Sequence, residues 1–591
     1  MCKEYLPILK EVKEKEILTD ENKPMNILIE GDNYHALSAL NYTHSGKIDI
    51  IYIDPPYNTG KAKEWKYNDN YVDINDAYRH SKWLNMMEKR LKLAKNLLSI
   101  NGVLFISIDD NEISQLKLLC ENIFNERNFV ANIIWQKKFS PQNDAAYFSN
   151  MHDYILVFAK KKKLSKNDSI GWNRILLNRV ENKSYKNPDN DKRGLWTSGD
   201  LTAEGPTENC IYPIISSSGI KHMPPNGKRW VFTKDNYSIL LKENRIWFGK
   251  KGNSFPRLKR FLSEVQDGYV PNTIWFHDEV GHTQEGKQEF NEFFQREIDF
   301  DYPKPSKLIK RIIQIGASKK CTVLDFFAGT GTTGQAVLSL NKDDNGKRKF
   351  ILCTNNENNI CEKITNVRLS KSIKGFDFVG KDKKVLLEMN LTFSDIYRDI
   401  KQKKNESNEK YYKRKEEKFD ERIKAIVREI DKVILNNEDK YDYIEKEFLN
   451  NTIRIIGVII IEDFKKGLGG NLKYYKTDFI DAKPTDKNKK KLTVEATEML
   501  CIKEDTFEEV KTKNKSLKVF KNGKKYTGVI YDVMSIDDFK DFAKKIDGKF
   551  SVYVFSLSDD TYEEEFDDMK NKIKLSPIPE AILRVYRRIF K

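Results

Sequence analysis

Residues Asp49–Gly60 read DIIYIDPPYNTG, an apolar and largely β-branched run that two prolines bring to an end. Ile50, Ile51, Tyr52 and Ile53 show no polar alternation, so the strand is expected to be buried on both faces, as in a parallel sheet covered by helices. A proline cannot donate to a ladder, and it restricts the residue before it. Pro55 and Pro56 therefore stop the strand and hold Asp54 and Tyr57 in a stiff loop at its C-terminal end. In open α/β sheets that end is where ligands bind. An acid, two prolines and a ring give a rigid acceptor beside a flat stacking surface, which suits a planar base carrying an amino group.

The neighbouring stretches repeat the strand-helix pattern. Asn26–Leu40 reads as a strand, a Gly31-Asp32-Asn33 turn and a capped helix. An amphipathic helix over Ser81–Leu98 follows, then strands at Val103–Ile108, Asn132–Gln136 and Asp153–Ala159. The polar, aromatic-rich loop Lys61–Asp73 is long enough to suggest function. The pattern resumes after residue 300 with a helix over Ser306–Ala317 and strands at Thr322–Phe326 and Lys349–Thr354. Such alternation predicts an α/β class protein with a doubly wound, Rossmann-like sheet. Its core is expected from 1–160 and 301–375.

Residues 161–300 differ in character: after a charged boundary, Gly171–Phe300 is rich in Gly, Pro, Trp and Arg with little helical period, and predicts a mostly β or irregular insertion. Basic and aromatic side chains there are of the types that contact phosphates and base edges, and also of the types that fill cores. Trp172, Arg174, Trp196, Arg245 and Trp247 are the candidates for nucleic-acid contact, with Trp230 and Trp275 in the same pattern. Residues 376–450 predict a charged helical arm, because Ile423, Ile426, Val427, Ile430 and Val433 recur at helical spacing. Residues 451–591 predict a small α/β domain without a catalytic cluster.

Charge narrows the class of partner. The 591 residues carry a formal charge of +16 and an estimated pI of about 9.1, which favours a polyanion such as nucleic acid; a lysine-rich proteome gives the same balance. No apolar run is long enough to span a membrane, and the seven cysteines form no CxxC pair. A cytoplasmic protein without disulfides, zinc or another metal site is the expectation.

The second motif is Phe327-Ala328-Gly329-Thr330-Gly331, directly after a buried strand. Its glycines allow a tight strand-to-helix turn and close backbone approach to a ligand. Alone it could serve a dinucleotide, a phosphate or packing, since both the full GxGxxG pattern and the Lys-Ser/Thr of a P-loop are absent.

Together, the DPPY sequence Asp54–Tyr57 and the FxGxG sequence Phe327–Gly331 resemble those of S-adenosylmethionine-dependent DNA amino-methyltransferases. DPPY first and FxGxG second, with an insertion between, resembles the permuted β order of that family. The segments WQKKFSPQNDAAYFSNMHDYILVFAK, YPIISSSG, RIWFGKKG and YPKPSKLIKRII are similar to those of the Mod subunits of Type III restriction-modification systems. So are GNLKYYKTDF and IPEAILRVYRRIFK near the end of the chain.

The resemblance implies an adenine-N6 methyltransferase acting on double-stranded DNA, with S-adenosyl-L-methionine as cofactor, a target-recognition insertion, a homodimeric assembly and a helicase-nuclease (Res) partner. A solitary methyltransferase, or one acting on cytosine N4, is the alternative. It implies that Asp54, Pro55, Pro56 and Tyr57 hold the target base, and that Asp325, Phe327, Gly329, Gly331 and Thr332 hold the cofactor. Asp32 resembles the acid at the cofactor adenine, and Lys304 is a candidate for its carboxylate or a solvated lysine. Relatives hold the cofactor ribose with an acid at the end of the next strand. Here that strand ends Cys353-Thr354-Asn355-Asn356-Glu357, leaving Asn355, Asn356 or Glu357 for the role.

Adenine's amino nitrogen is a poor nucleophile because its lone pair is delocalised into the ring. Acceptors on its hydrogens, here the Asp54 carboxylate and the Pro55 carbonyl, would localise that pair for direct attack on a sulfonium methyl. The base must leave the duplex first, at a cost of a few kcal/mol. Stacking on Tyr57 would offset roughly 1–3 kcal/mol of it.

Overall fold

The computed structural model describes residues 4–59, 76, 78–141, 146–165, 168–177, 185–205, 207–264, 268–298, 300, 302–391, 401–404, 406–449, 451–558, 560 and 562–590. The loop Lys61–Asp73 lies outside them.

Among the described residues ten strands build the central sheet. In chain order they are β1 (Tyr5–Glu11), β2 (Met25–Glu30), β3 (Ile48–Ile53), β4 (Leu98–Ile108), β5 (Phe129–Gln136), β6 (His152–Ala159), β7 (Ile274–Trp275), β8 (Thr322–Asp325), β9 (Lys349–Thr354) and β10 (Asn471–Asp481). Their order across the sheet is β1, β10, β2, β9, β8, β3, β4, β6, β5, β7. The six strands from β10 to β4 are mutually parallel, whereas β6 runs antiparallel to β4 and β5, and β1 antiparallel to β10.

Helices α1 (Asn33–Thr43), α2 (Arg79–Leu97) and α3 (Ile113–Phe124) precede α4 (Thr283–Phe294), α5 (Ser306–Gly316), α6 (Thr332–Asp344) and α7 (Asn366–Lys374). Alternate residues of each central strand serve the two faces. Ile51, Ile53, Leu104 and Ile106 join the core with Leu37 and Leu40 of α1 and Trp83 of α2. Ile50 and Phe105 point the other way, so close to Gly316 of α5 that an added Cβ there would lie 2.8 Å from Ile50. That burial on both faces is why the strands read as unbroken apolar runs.

Trp172 and residues 273–300 belong to the main unit, so the second compact unit, Arg174–Asn272, is narrower than the expected 161–300. The reason is packing: β7 adds to β5, and Phe290, Phe293 and Phe294 of α4 bury against Ile360, Ile364 and Phe376. The Arg174–Asn272 unit is short-stranded and irregular, as its composition predicts, around Leu201, Tyr212, Ile214, Trp230, Tyr237 and Ile246.

Beyond residue 375 the structure differs from expectation. The helix Asn408–Leu435 is present, but Gly375–Asn390, Tyr443–Leu449 and Thr452–Lys466 form an antiparallel sheet rather than parts of an arm and a separate domain. Asn471–Asp481 leaves the expected C-terminal domain to become β10, because Leu472, Tyr474 and Tyr475 are buried between β1 and β2. What remains is a five-stranded sheet built from Glu508–Val510, Leu517–Asn522, Lys525–Ile530, Lys549–Phe555 and Ile573–Ile578. Among the described residues no helix is long and apolar enough to cross a membrane.

Candidate active site

β3 and β8 are adjacent and parallel, with Ile50 opposite Val323 and Ile51 opposite Leu324. The DPPY and FAGTG segments therefore leave the sheet side by side at its C-terminal edge, although some 270 residues separate them in sequence.

Each segment is pinned from behind. The fully buried Trp83 of α2 donates its indole N–H to the Pro56 carbonyl at 2.8 Å. Asn58 adopts a left-handed φ of +57° and donates at 2.6 Å to Glu112, which is fully buried and also contacts His80 Nδ1 at 2.7 Å. These contacts fix both ends of a loop that the prolines already stiffen. In the second segment Gly329 and Gly331 take positive φ values of +49° and +81°, conformations that disfavour a side chain. Gly331 caps α6, and Thr365 donates to the Gly329 carbonyl at 2.6 Å. Arg368, fully buried, donates from Nη1 to the Thr330 and Thr332 hydroxyls at 2.8 Å each. Burial lowers its pKa to about 10.

A cavity of about 480 Å³ lies between the two segments. Asp54, Pro55, Tyr57 and Lys304 line one part, and Asp325, Phe327, Gly329, Thr330 and Thr332 another. Lys304 Nζ bonds both Asp54 oxygens, at 2.8 and 2.7 Å, and sits 5.0 Å from the centre of the Tyr57 ring. The Tyr57 hydroxyl is enclosed and has no hydrogen-bond partner among the described residues. Burial, with Asp54 adding to it, pushes that phenol far above its ordinary pKa, so it stays a neutral donor.

Asp325 ends β8 inside the cavity wall. It accepts from the Phe327 amide at 3.0 Å and from the Thr333 hydroxyl at 2.6 Å. Burial raises it to about 7 against these bonds. A third part of the wall holds Trp135, Lys137 and Asp153, where Lys137 bonds Asp153 at 2.6 Å and burial raises the Asp153 pKa.

The structure thus gathers Asp54, Pro55, Tyr57, Lys304, Asp325, Phe327, Gly329 and Thr332 around one cavity. Pro56 and Gly331 stand just behind the lining. Asp32 caps α1 and pairs with Arg90 at 3.1 Å, while Asn355 and Glu357 follow β9; all three sit at neighbouring strand ends outside the lining. Lys304 is engaged by Asp54 rather than presented to a distant carboxylate.

The insertion candidates fare differently. Trp172 is a buried residue of the main unit, donating to the Gly316 carbonyl at 2.8 Å. Trp196 is buried, donates to Asp189 at 2.8 Å and meets Trp247 edge-on at 5.3 Å. Arg245 is held by Glu243 and Glu264. The two tryptophans are internal to their units because an indole N–H that finds a partner within the fold is stable there, while Arg245, 23% exposed, is tied to two carboxylates at the surface. Arg174 is exposed, and Trp247 is half-buried on a 440 Å³ concavity with Lys186, Ser198 and Arg257. Trp83, Glu112 and Arg368 were not foreseen, since they act through the backbone and side chains of the motifs and carry no motif of their own.

The DNA methylase family matches residues 48–366, more than half of the chain. The chain belongs to this family. As a DNA methylase family member it is similar to the Type III restriction-modification enzyme StyLTI Mod subunit of Salmonella typhimurium, 35% identical over 366 residues, 58% of this chain and 54% of that one. It is 32% identical to the EcoPI Mod subunit of Escherichia phage P1, over 57% of this chain and 59% of the relative. With the EcoP15I Mod subunit of Escherichia coli it shares 30% identity over 64% of this chain and 69% of the relative. The chain thus spans little more than half the length of the first two relatives. Both motifs lie inside the matched span.

Proposed function

We propose that this protein is an adenine-N6 DNA methyltransferase that uses S-adenosyl-L-methionine, and that it serves as the modification subunit of a Type III restriction-modification system. The observation that carries the reading is the pairing of the pinned DPPY carboxylate with the FAGTG turn across one cavity.

The glycine turn has room for the donor. A Cβ built on Gly329 would meet nothing nearer than the Phe327 carbonyl at 3.9 Å, so the turn faces open space. Phe327, Gly329, Thr330 and Thr332, with Asp325 at the strand end, are the residues that would hold the methyl donor. Bound there, S-adenosylmethionine supplies an electrophilic methyl group.

The chain's own residues do the rest. Asp54 and the Pro55 carbonyl accept from the amino group of a flipped base, and the oxygens of Asp54 keep lone pairs for that role while Lys304 holds them in place. Tyr57 stacks on the base, its hydroxyl neutral and enclosed behind the ring. Because both loops are pinned, the acceptors need little rearrangement at the moment of reaction, where positioning has its largest effect.

The protein would act as a homodimer on double-stranded DNA, with Arg174 and Trp247 of the Arg174–Asn272 unit as base or phosphate contacts and a helicase-nuclease subunit as partner. The cofactor assignments of Asp32, Asn355 and Glu357 belong to the same proposal. Asp54→Ala should abolish methyl transfer to plasmid DNA while sparing DNA binding. Digestion of the product to nucleosides should yield N6-methyladenosine in its deoxy form. Undiminished transfer by the variant, or N4-methylcytosine as the product, would overturn the proposal.

A further inference from the structure

A second large concavity of the main unit lies at the opposite end of the sheet from Asp54. Met25, Thr322 and Lys349, the first residues of β2, β8 and β9, line it, whereas Asp54 follows the last residue of the parallel β3. Its volume is about 670 Å³, and its other wall is the C-terminal five-stranded sheet.

Among the described residues eight lysines and two acids line this cleft, Lys570 being paired with Asp567 and Lys572 donating to the Ala543 carbonyl. Both acids are already engaged: Glu504 accepts from Ser551 and Tyr553 at 2.8 and 2.7 Å, and Asp505 pairs with Lys349 at 2.6 Å. Lys525 and Lys549 stand directly opposite each other on neighbouring strands, and Lys574 is the register partner of Ser551 on the next strand. Like charges placed opposite one another across a sheet are destabilising. Burial holds Lys47 and Lys503 below the ordinary lysine range, and Lys574 repels both. The floor is apolar, with buried Ile27, Phe350, Ile351 and Ile502.

A concentration of cations against their own repulsion, around an apolar floor, calls for an anion with an apolar body. The volume falls in the range of small-molecule sites, about 300–1,000 Å³. We propose that the cleft binds a small phosphorylated ligand of the nucleotide class, its phosphates among Lys525, Lys549 and Lys574 and its ring toward the apolar floor. The site is separate from the methyl-transfer cavity and does not depend on the function proposed above.

The test uses the full chain and calorimetry with ATP and with inorganic triphosphate, without magnesium. ATP should bind at one site, more tightly than triphosphate, and saturating S-adenosylmethionine should not displace it. The double variant Lys525→Gln, Lys549→Gln should weaken binding at least tenfold, about 1.4 kcal/mol. Lys574→Gln should weaken it from a separate strand. Lys524→Gln, whose side chain is 81% exposed and lies outside the cleft lining, should leave it unchanged. Absence of binding by both probes, undiminished binding by the double and Lys574 variants, or displacement by S-adenosylmethionine would overturn the proposal. So would a double variant that loses affinity only for duplex DNA.

Discussion

Asp325 offers a quantitative check on the cavity wall, because its burial, and not its bonding, sets its charge. Its pKa rises from 3.8 to about 7 in the fold. Between those values the native state binds more protons than the unfolded chain, so stability falls as pH rises through the window and levels off above about 7, where both states are ionised. The full shift corresponds to about 4 kcal/mol, of which about 2 kcal/mol is lost between roughly pH 5.5 and pH 8. Asp325→Asn removes the titration while preserving the shape: its carbonyl can accept from the Phe327 amide, and its amide can donate to the Thr333 oxygen once that hydroxyl rotates. Hydrogen exchange of the segment 320–340, compared between wild type and variant at each pH, cancels the intrinsic exchange chemistry. Relative to the variant, the wild type should lose about 2 kcal/mol of protection from acid to alkaline pH. A difference that stays constant to within about 0.5 kcal/mol would refute the account and mean that Asp325 is ionised throughout.

Two other perturbations separate the roles of the motif and its support. Trp83→Phe keeps a ring in the core but leaves the Pro56 carbonyl without its donor, a loss of roughly 1–3 kcal/mol; kcat should fall with little change in the KM for DNA, and unchanged turnover would show that the prolines alone fix the loop. Gly329→Ala must adopt a φ of +49° and points a methyl into the open space before the turn. The strain is roughly 1–2 kcal/mol, and calorimetry should show weakened S-adenosylmethionine binding with DNA binding intact; equal affinity would mean the turn does not touch the donor.

What could be read from the chain alone follows from how local the determining physics is. The apolar runs at Ile50–Ile53 and Val323–Leu324 were legible because a strand buried on both faces leaves no polar alternate, and the DPPY loop because proline acts on its own backbone. Pairing is not local. Nothing in Asn471–Asp481 says that it lies between β1 and β2, more than 440 residues away, and the same pattern fits a strand of an independent domain equally well. Tryptophan is ambiguous for a different reason. Its ring suits a core and a stacking surface alike, and only its N–H partner decides, which for Trp172 is a carbonyl of α5 and for Trp196 an aspartate seven residues away.

The residues that sequence could not nominate, Trp83, Glu112 and Arg368, share a physical character with Lys304, which it nominated for a different contact. Trp83, Glu112, Arg368 and Lys304 each supply one partner that a motif residue needs, across 27, 54, 38 and 250 positions respectively. A motif records the groups that face a ligand, because few side chains can replace them there. The groups that hold those residues still need only a donor or an acceptor at the right distance, which many folds of the chain could provide from many positions. Positional accuracy at Asp54 therefore depends on contacts with no recognisable spelling, and the stiffness read from two prolines is only its local share: the indole of Trp83 and the ammonium of Lys304 supply what remains.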